Sequence, residues 1–307
     1  MNKLSYYLRN ILKQIRLISE KIILPGFNGQ SLYSISKFFF KGITAGAISI
    51  RAASVAYNLF FSIFPALIFL IGLIAFIPID NFQYELLKLL ETVLPENAYS
   101  LFNTTICDTI TNQRTSALSV GFLLSLFFAS NGVLALIAAF SKSYYSVKRR
   151  SWINERLISI LLVLILAFLL IIAILLIVMG GYFFDLIIKS YPSIDTTFIR
   201  ISYIILKWII VISLYFLAIS FLYHLAHSKK EKYRFISPGA IFATVIQIIA
   251  ILGFSYYIKN FATYNKLYGS IGTIMVVMLL FYITALVMIL GYELNISANI
   301  VKKNKNG

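Results

Sequence analysis

The chain has 307 residues, 60% of them hydrophobic and 12% charged, with a formal net charge of +16 and a mean hydropathy of +0.88. A soluble domain carries roughly 25% charged residues, so the composition excludes a water-soluble globular protein and points to an all-α polytopic membrane protein. A single cysteine, Cys107, excludes an internal disulfide and any multi-cysteine metal site.

Residues 3–24 have the pattern of an amphipathic helix. Leu4, Leu8, Ile11, Ile15, Ile18 and Ile22 recur in alternating steps of four and three, while Lys3, Arg9, Lys13, Arg16 and Lys21 take other positions. The basic residues interrupt the apolar ones, so this is not a secretory signal. Such a helix suits an anionic leaflet surface; packing on the protein's own cytoplasmic side is the alternative. Pro25-Gly26 and Asn28-Gly29 end it.

A membrane-crossing helix needs ~20 mostly apolar residues, and six stretches meet that requirement. The first, residues 51–77, starts at Arg51, carries Tyr57, Asn58 and Ser62, and has Pro65 near its middle. Proline removes a backbone hydrogen bond, so a kink beside a polar face is expected. A polar connection over 78–116 follows. It holds two short helical patterns separated by Pro95, both suited to the interface.

The second span, about 117–140, contains Ser130-Asn131-Gly132. The third, 157–179, is apolar all round and is expected to face lipid. The fourth, about 199–223, carries Lys207; the fifth, about 239–258, carries Gln247. The sixth, 273–290, is preceded by Tyr268-Gly269-Ser270-Ile271-Gly272 and followed by Gly291-Tyr292-Glu293-Leu294-Asn295. An ionisable group at a helix centre costs ~2.5–3.5 kcal/mol on insertion scales, so Glu293 needs a partner or a role. The chain divides into a basic amphipathic segment (1–41), a six-helix transmembrane domain (42–300) and a basic tail (301–307).

Twenty of the 27 lysines and arginines fall in residues 1–51, 141–156, 224–238 and the tail, and seven of the eleven acids fall in the opposite connections. The positive-inside rule then places both termini in the cytoplasm. The same placement accounts for most of the basic charge without nucleic acid. Arg51 and Glu293 come to similar depth from opposite ends of the chain, which allows an ion pair.

Taken together, these residues resemble the YihY/BrkB family of bacterial inner-membrane proteins over roughly residues 40–300. Ala56-Tyr57 with Ser62-Ile63-Phe64-Pro65, Leu94-Pro95, Lys148-Arg149-Arg150, Pro238-Gly239, Tyr268-Gly269, Phe281-Tyr282 and Gly291-Tyr292-Glu293-Leu294-Asn295 match its motifs in order and spacing. Ser141, Phe281 and Tyr292 depart from the common family residues. The resemblance implies six membrane helices with cytoplasmic ends in the inner membrane, and no secure biochemical activity. The family has carried a ribonuclease label, which the residues do not support. Phosphodiester hydrolysis needs positioned acid–base groups, commonly with metals. His224 and His227 could share a helix face as a possible metal pair, but without a third ligand nearby they read as interfacial histidines ending the fourth span. Gly42 and Gly46 lack the Lys-Ser/Thr of a phosphate loop. No metal or other cofactor is expected, and no enzyme activity.

Two functional readings follow. In the first, the chain transports or flips a lipid or amphiphilic envelope molecule. Arg51, Tyr57, Asn58, Ser62, Pro65, Asn131, Gln247, Tyr282, Glu293 and Asn295 line a cavity, and Gly269, Gly272 and Gly291 serve as hinges. No inverted repeat between 41–180 and 199–300 supports it. In the second, the same residues bond helices together in a non-transporting scaffold for envelope assembly. The expected partners are membrane lipids, the anionic cytoplasmic leaflet through the N-terminal helix, and a second copy or envelope proteins.

Overall fold

A computed structural model describes residues 29–75, 115–143, 151–190, 196–227, 235–260 and 262–306, with isolated positions between 14 and 22. Seven helices make up the regular structure of these residues: α1 (Leu32–Ala45), α2 (Ile48–Ala75), α3 (Thr115–Ser141), α4 (Trp152–Ser190), α5 (Thr196–Ala226), α6 (Pro238–Asn260) and α7 (Ala262–Asn306). Six contain stretches long and apolar enough to cross a membrane: Ile48–Leu70, Val120–Ser141, Trp152–Ile177, Arg200–Ala226, Pro238–Tyr257 and Ile274–Ile300. The protein is therefore an all-α polytopic membrane protein with six spanning helices. Apart from isolated positions, the amphipathic pattern of residues 3–24 lies outside the described residues. So do Pro95 with most of its connection and Lys148-Arg149-Arg150.

Three stretches show where the helices start, stop and continue. First, α1 runs through position 41. Ser31 caps it by accepting from the Ser34 N–H. It stops at Gly46, whose N–H donates to the Gly42 carbonyl at 2.8 Å, and at Ala47, which takes the left-handed φ of 45°. Second, the glycine-rich approach to the sixth span, Tyr268 to Gly272, is helical, and α7 continues into the basic tail as far as Asn306. A helix inside a bilayer must satisfy its own backbone, which overrides the weak helix propensity of glycine. Third, α2 continues past Pro65, although the ring removes the N–H that would bond the Phe61 carbonyl.

The chain forms two compact units, one of Met1–Phe60, Leu134–Glu155 and Ile219–Gly307, the other of Phe61–Val133 and Arg156–Ala218. In the first, α1 lays Ile35 against Ala298 of α7, with Phe38 and Leu294 beside them. Lys37, Phe40 and Lys41 of α1 are exposed. Helices α6 and α7 approach backbone to backbone at Gly239 and Gly291. A β-carbon on Gly291 would lie 2.7 Å from the Gly239 carbonyl oxygen and 2.8 Å from the Ala243 β-carbon. Small residues allow such approach, and in a membrane close packing is a main source of helix association. Further along, Gln247 Nε2 donates to Thr284 Oγ1 at 2.9 Å.

In the second unit, Phe69 of α2 packs on Phe122 of α3 with ring centroids 4.8 Å apart. Gly72 leaves room for the same ring. Ser125 and Ser130 donate to the carbonyls of Phe122 and Phe127 in their own helix, so these hydroxyls are satisfied locally. On α4, Leu162, Val163 and Ala167 are buried while Leu157, Leu161, Leu164 and Phe168 are exposed. Its uniformly apolar sequence thus splits into a packed stripe and an outward face that acyl chains can solvate.

Candidate functional site

Arg51 lies in the first turn of α2, just after the left-handed Ala47. The turn brings the Gly46 carbonyl back toward the guanidinium, and Arg51 Nη1 donates to it at 3.2 Å. The same nitrogen donates to Glu293 Oε1 of α7 at 2.8 Å. Arg51 Nε donates to the carbonyl of Ala139 in the last turn of α3 at 3.0 Å. The last carbonyls of a helix have no partner within it, so Arg51 also serves as a cap for α3. Ser143, just beyond α3, donates its hydroxyl to Glu293 Oε2 at 2.7 Å.

The pair is 6% and 0% exposed. Burying both charges costs several kcal/mol per ion, which is recovered only with good geometry and additional hydrogen bonds. Those bonds are present on both sides: each Glu293 oxygen has a donor, and Nε and Nη1 of Arg51 each have an acceptor. Arg51 Nη2 is the exception; it is buried without a hydrogen-bond partner among the described residues. A guanidinium has five N–H donors, and two of Arg51's are on this nitrogen.

An aromatic cluster includes Tyr292, the residue before Glu293. Tyr292 stacks on Phe140 with centroids 4.3 Å apart, and Tyr223 meets both rings edge-on. The Tyr223 hydroxyl donates to the Met288 carbonyl at 2.7 Å. His227 Nδ1 lies 3.4 Å from the Tyr292 hydroxyl, whereas His224 meets Phe235 edge-on. The two histidines thus have different neighbours. Among the described residues no three His, Cys, Asp or Glu side chains gather as a metal site.

The ion pair expected from depth is formed, and the other candidate residues are distributed around it and beyond it. Asn295 is buried and serves α6: its Oδ1 accepts from the Gly239 N–H at 2.7 Å and its Nδ2 donates to Ser237 Oγ at 3.0 Å. Ser237 in turn accepts from the Ala240 N–H, and Pro238 takes the first helical position, where its missing N–H is no loss. Asn295 therefore extends the N-cap of a neighbouring helix. Gly291 is the point of close approach between α6 and α7. Asn58 donates to the Ser54 carbonyl at 2.8 Å, Tyr57 is exposed, and Tyr282 is half-buried. Gly272 is buried within α7, and Gly269 is helical.

Ser62, Pro65 and Asn131 belong to the other compact unit. There Asn131 Oδ1 accepts from Arg156 Nη1 at 2.6 Å, and Ser62 Oγ is buried without a partner among the described residues. Ser143, Ser237 and Arg156 were not singled out from sequence. The two serines are neutral residues at helix ends, indistinguishable by type from others. Arg156 counts by sequence as a positive charge of a connection, but its place directly before the apolar run 157–179 is the available signal.

The family model described as Virulence factor BrkB matches residues 39–307. A Bacillus subtilis protein, YfkH, whose name calls it ribonuclease-like, is 33% identical over 245 residues, covering 80% of this chain and 88% of that protein. A UPF0761 membrane protein of Idiomarina loihiensis is 24% identical over 192 residues, 61% of this chain and 63% of its own length. Another, from Pseudoalteromonas translucida, is 33% identical over 73 residues, 24% of each chain. No solved structure matches the chain.

Proposed function

The chain belongs to the BrkB family of membrane proteins, and from that premise we propose that it moves a lipid or similar amphiphile across the membrane, binding an anionic head group at Arg51. The carrying observation is the buried Nη2 of Arg51, without a partner among the described residues, beside a Glu293 whose two oxygens each accept a hydrogen bond. Native interiors leave few buried donors without acceptors, and a guanidinium matches the oxygens of a phosphate or carboxylate. A head group taken up at Nη2 would compete with Glu293 for the same charge. It would favour a second state in which α2, α3 and α7 are no longer tied together. We take that end of the spans to be the cytoplasmic one, a reading that the lysine and arginine placement supports.

The proposal includes no hydrolytic step. The ribonuclease-like name belongs to the relative that carries it, and here His224 and His227 are engaged with Phe235 and Tyr292.

One observation favours a scaffold reading instead. Nε and Nη1 of Arg51 and both oxygens of Glu293 bond helix ends or each other, as a purely structural clamp would.

Reconstitution separates the two readings. The full chain is placed in vesicles containing fluorophore-labelled phosphatidylglycerol, and an external quencher reports which leaflet holds the label. Transport predicts that the wild type brings inner-leaflet label to the quencher and that Arg51→Lys, which keeps the charge but loses Nη2, slows this. Label that stays in its leaflet with the folded wild type, or moves equally with Arg51→Lys, contradicts the proposal and favours the scaffold.

A further inference from the structure

A second buried arginine, in the other compact unit, forms no ion pair among the described residues, although Glu155 precedes it in the chain. Arg156 sits one turn into α4, which starts at Trp152, and is 6% exposed. Its Nη1 donates to Asn131 Oδ1 at 2.6 Å, and its Nη2 to the Phe127 carbonyl at 2.7 Å. The guanidinium carbon lies 3.5 Å from the centre of the Phe127 ring. All three neighbours are neutral. Among the described residues Nε is buried without a partner and no carboxylate forms an ion pair with Arg156, in contrast to Arg51.

Arginine stays charged in proteins, and burying a charge is costly unless it is paired. An amide, a carbonyl and a ring face supply partial negative charge but no counter-ion. We propose that Arg156, held in place by Asn131 and Phe127, is a binding site for a phosphate oxyanion.

The chemistry and the location agree on the ligand class. The guanidinium fork matches phosphate oxygens, and three of its five donors lack a protein acceptor among the hydrogen bonds described above. Trp152, Ile153 and Leu157 on the same helix are 68%, 62% and 60% exposed. On a membrane-spanning helix such side chains face lipid, and tryptophan favours the level of the head groups. Lipid phosphates lie at that level, and a basic site there attracts a net-anionic lipid. This inference does not depend on transport, because it concerns a site in the other unit and holds for a scaffold as well.

The test uses the full chain in neutral maltoside detergent and reads melting temperature against added dioleoylphosphatidylglycerol, dioleoylphosphatidylcholine or inorganic phosphate at constant ionic strength. The phosphatidylcholine phosphate brings its own cation and serves as the control. Wild type should gain stability with phosphatidylglycerol and not with phosphatidylcholine. Arg156→Gln should weaken the apparent affinity roughly tenfold or more, as expected for losing a charged hydrogen bond. Asn131→Asp supplies the missing counter-ion from within; it should fold, melt higher than wild type without lipid, and lose the gain. If Arg156→Gln does not fold, Asn131→Asp carries the test alone. A gain with inorganic phosphate that both variants lose also supports the site and assigns it to a soluble phosphate. A gain that Asn131→Asp keeps unchanged, or no gain in wild type with either phosphatidylglycerol or inorganic phosphate, overturns the proposal.

Discussion

Arg51 and Glu293 stand 242 positions apart in the chain and meet through one 2.8 Å hydrogen bond, Nη1 to Oε1. The contact is one-to-one rather than the bidentate fork common in arginine–carboxylate pairs. The rest of the guanidinium is directed elsewhere: Nε to the end of α3, and Nη2 to no described partner.

Removing one member of this pair strands the other as an uncompensated buried charge, at a cost of ~3–5 kcal/mol. Arg51→Met and Glu293→Met should each lower the melting temperature in detergent sharply. The double substitution should recover most of the loss, because hydrophobic replacement of a whole buried pair is often near neutral. Additive losses in the thermal melts would mean that the two side chains stabilise the fold independently.

Ser143 supplies the donor for Glu293 Oε2. Ser143→Ala leaves that oxygen buried and unbonded, which should cost ~1–3 kcal/mol. In a Glu293→Gln background the same change should cost less, since the acceptor no longer carries a full charge. A double-mutant cycle on melting temperature measures the difference.

Asn295 and Ser237 share one hydrogen bond and jointly cap α6. Asn295→Ala strands the Gly239 N–H and should cost ~1–3 kcal/mol; loss of the Ser237 cap should cost ~1 kcal/mol. Combined, the two substitutions should be less damaging than their sum. Hydrogen exchange should show the first turn of α6 opening in both single variants.

Two glycines provide a contrast within one helix pair. Gly291→Ala forces a β-carbon against Gly239 and Ala243, so α6 and α7 must separate. A marked loss of stability is expected. Gly253 of α6 has nothing within 4 Å of the corresponding position, so Gly253→Ala should be neutral or stabilising by ~0.5–1 kcal/mol through helix propensity. Equal effects in thermal melts would rule out the close approach as the reason for Gly291.

The spans were legible in the sequence because long apolar runs have few physical alternatives in a bilayer. The Arg51–Glu293 pair was legible because each charge was conspicuous in an apolar stretch and their depths matched. Helix ends were harder to read. Nothing in Gly42 to Ala47 marks where α1 stops, since the turn depends on a left-handed alanine. Gly269 and Gly272 before the sixth span mark no helix end, because the backbone is helical there. Asn295 read as a cavity residue by polarity alone. Its place in the α6 cap follows from packing between helices more than 50 residues apart in sequence, which no local pattern contains. The same holds for Arg156, whose neutral partners lie on α3.

The most direct test of head-group binding at Arg51 is native mass spectrometry of the purified, delipidated full chain. In an Arg156→Gln background, which removes the site on α4, one class of anionic amphiphile should still be retained, and it should be lost when Arg51→Lys is added. Only mixed bulk phospholipids, bound alike with and without Arg51→Lys, would contradict the account.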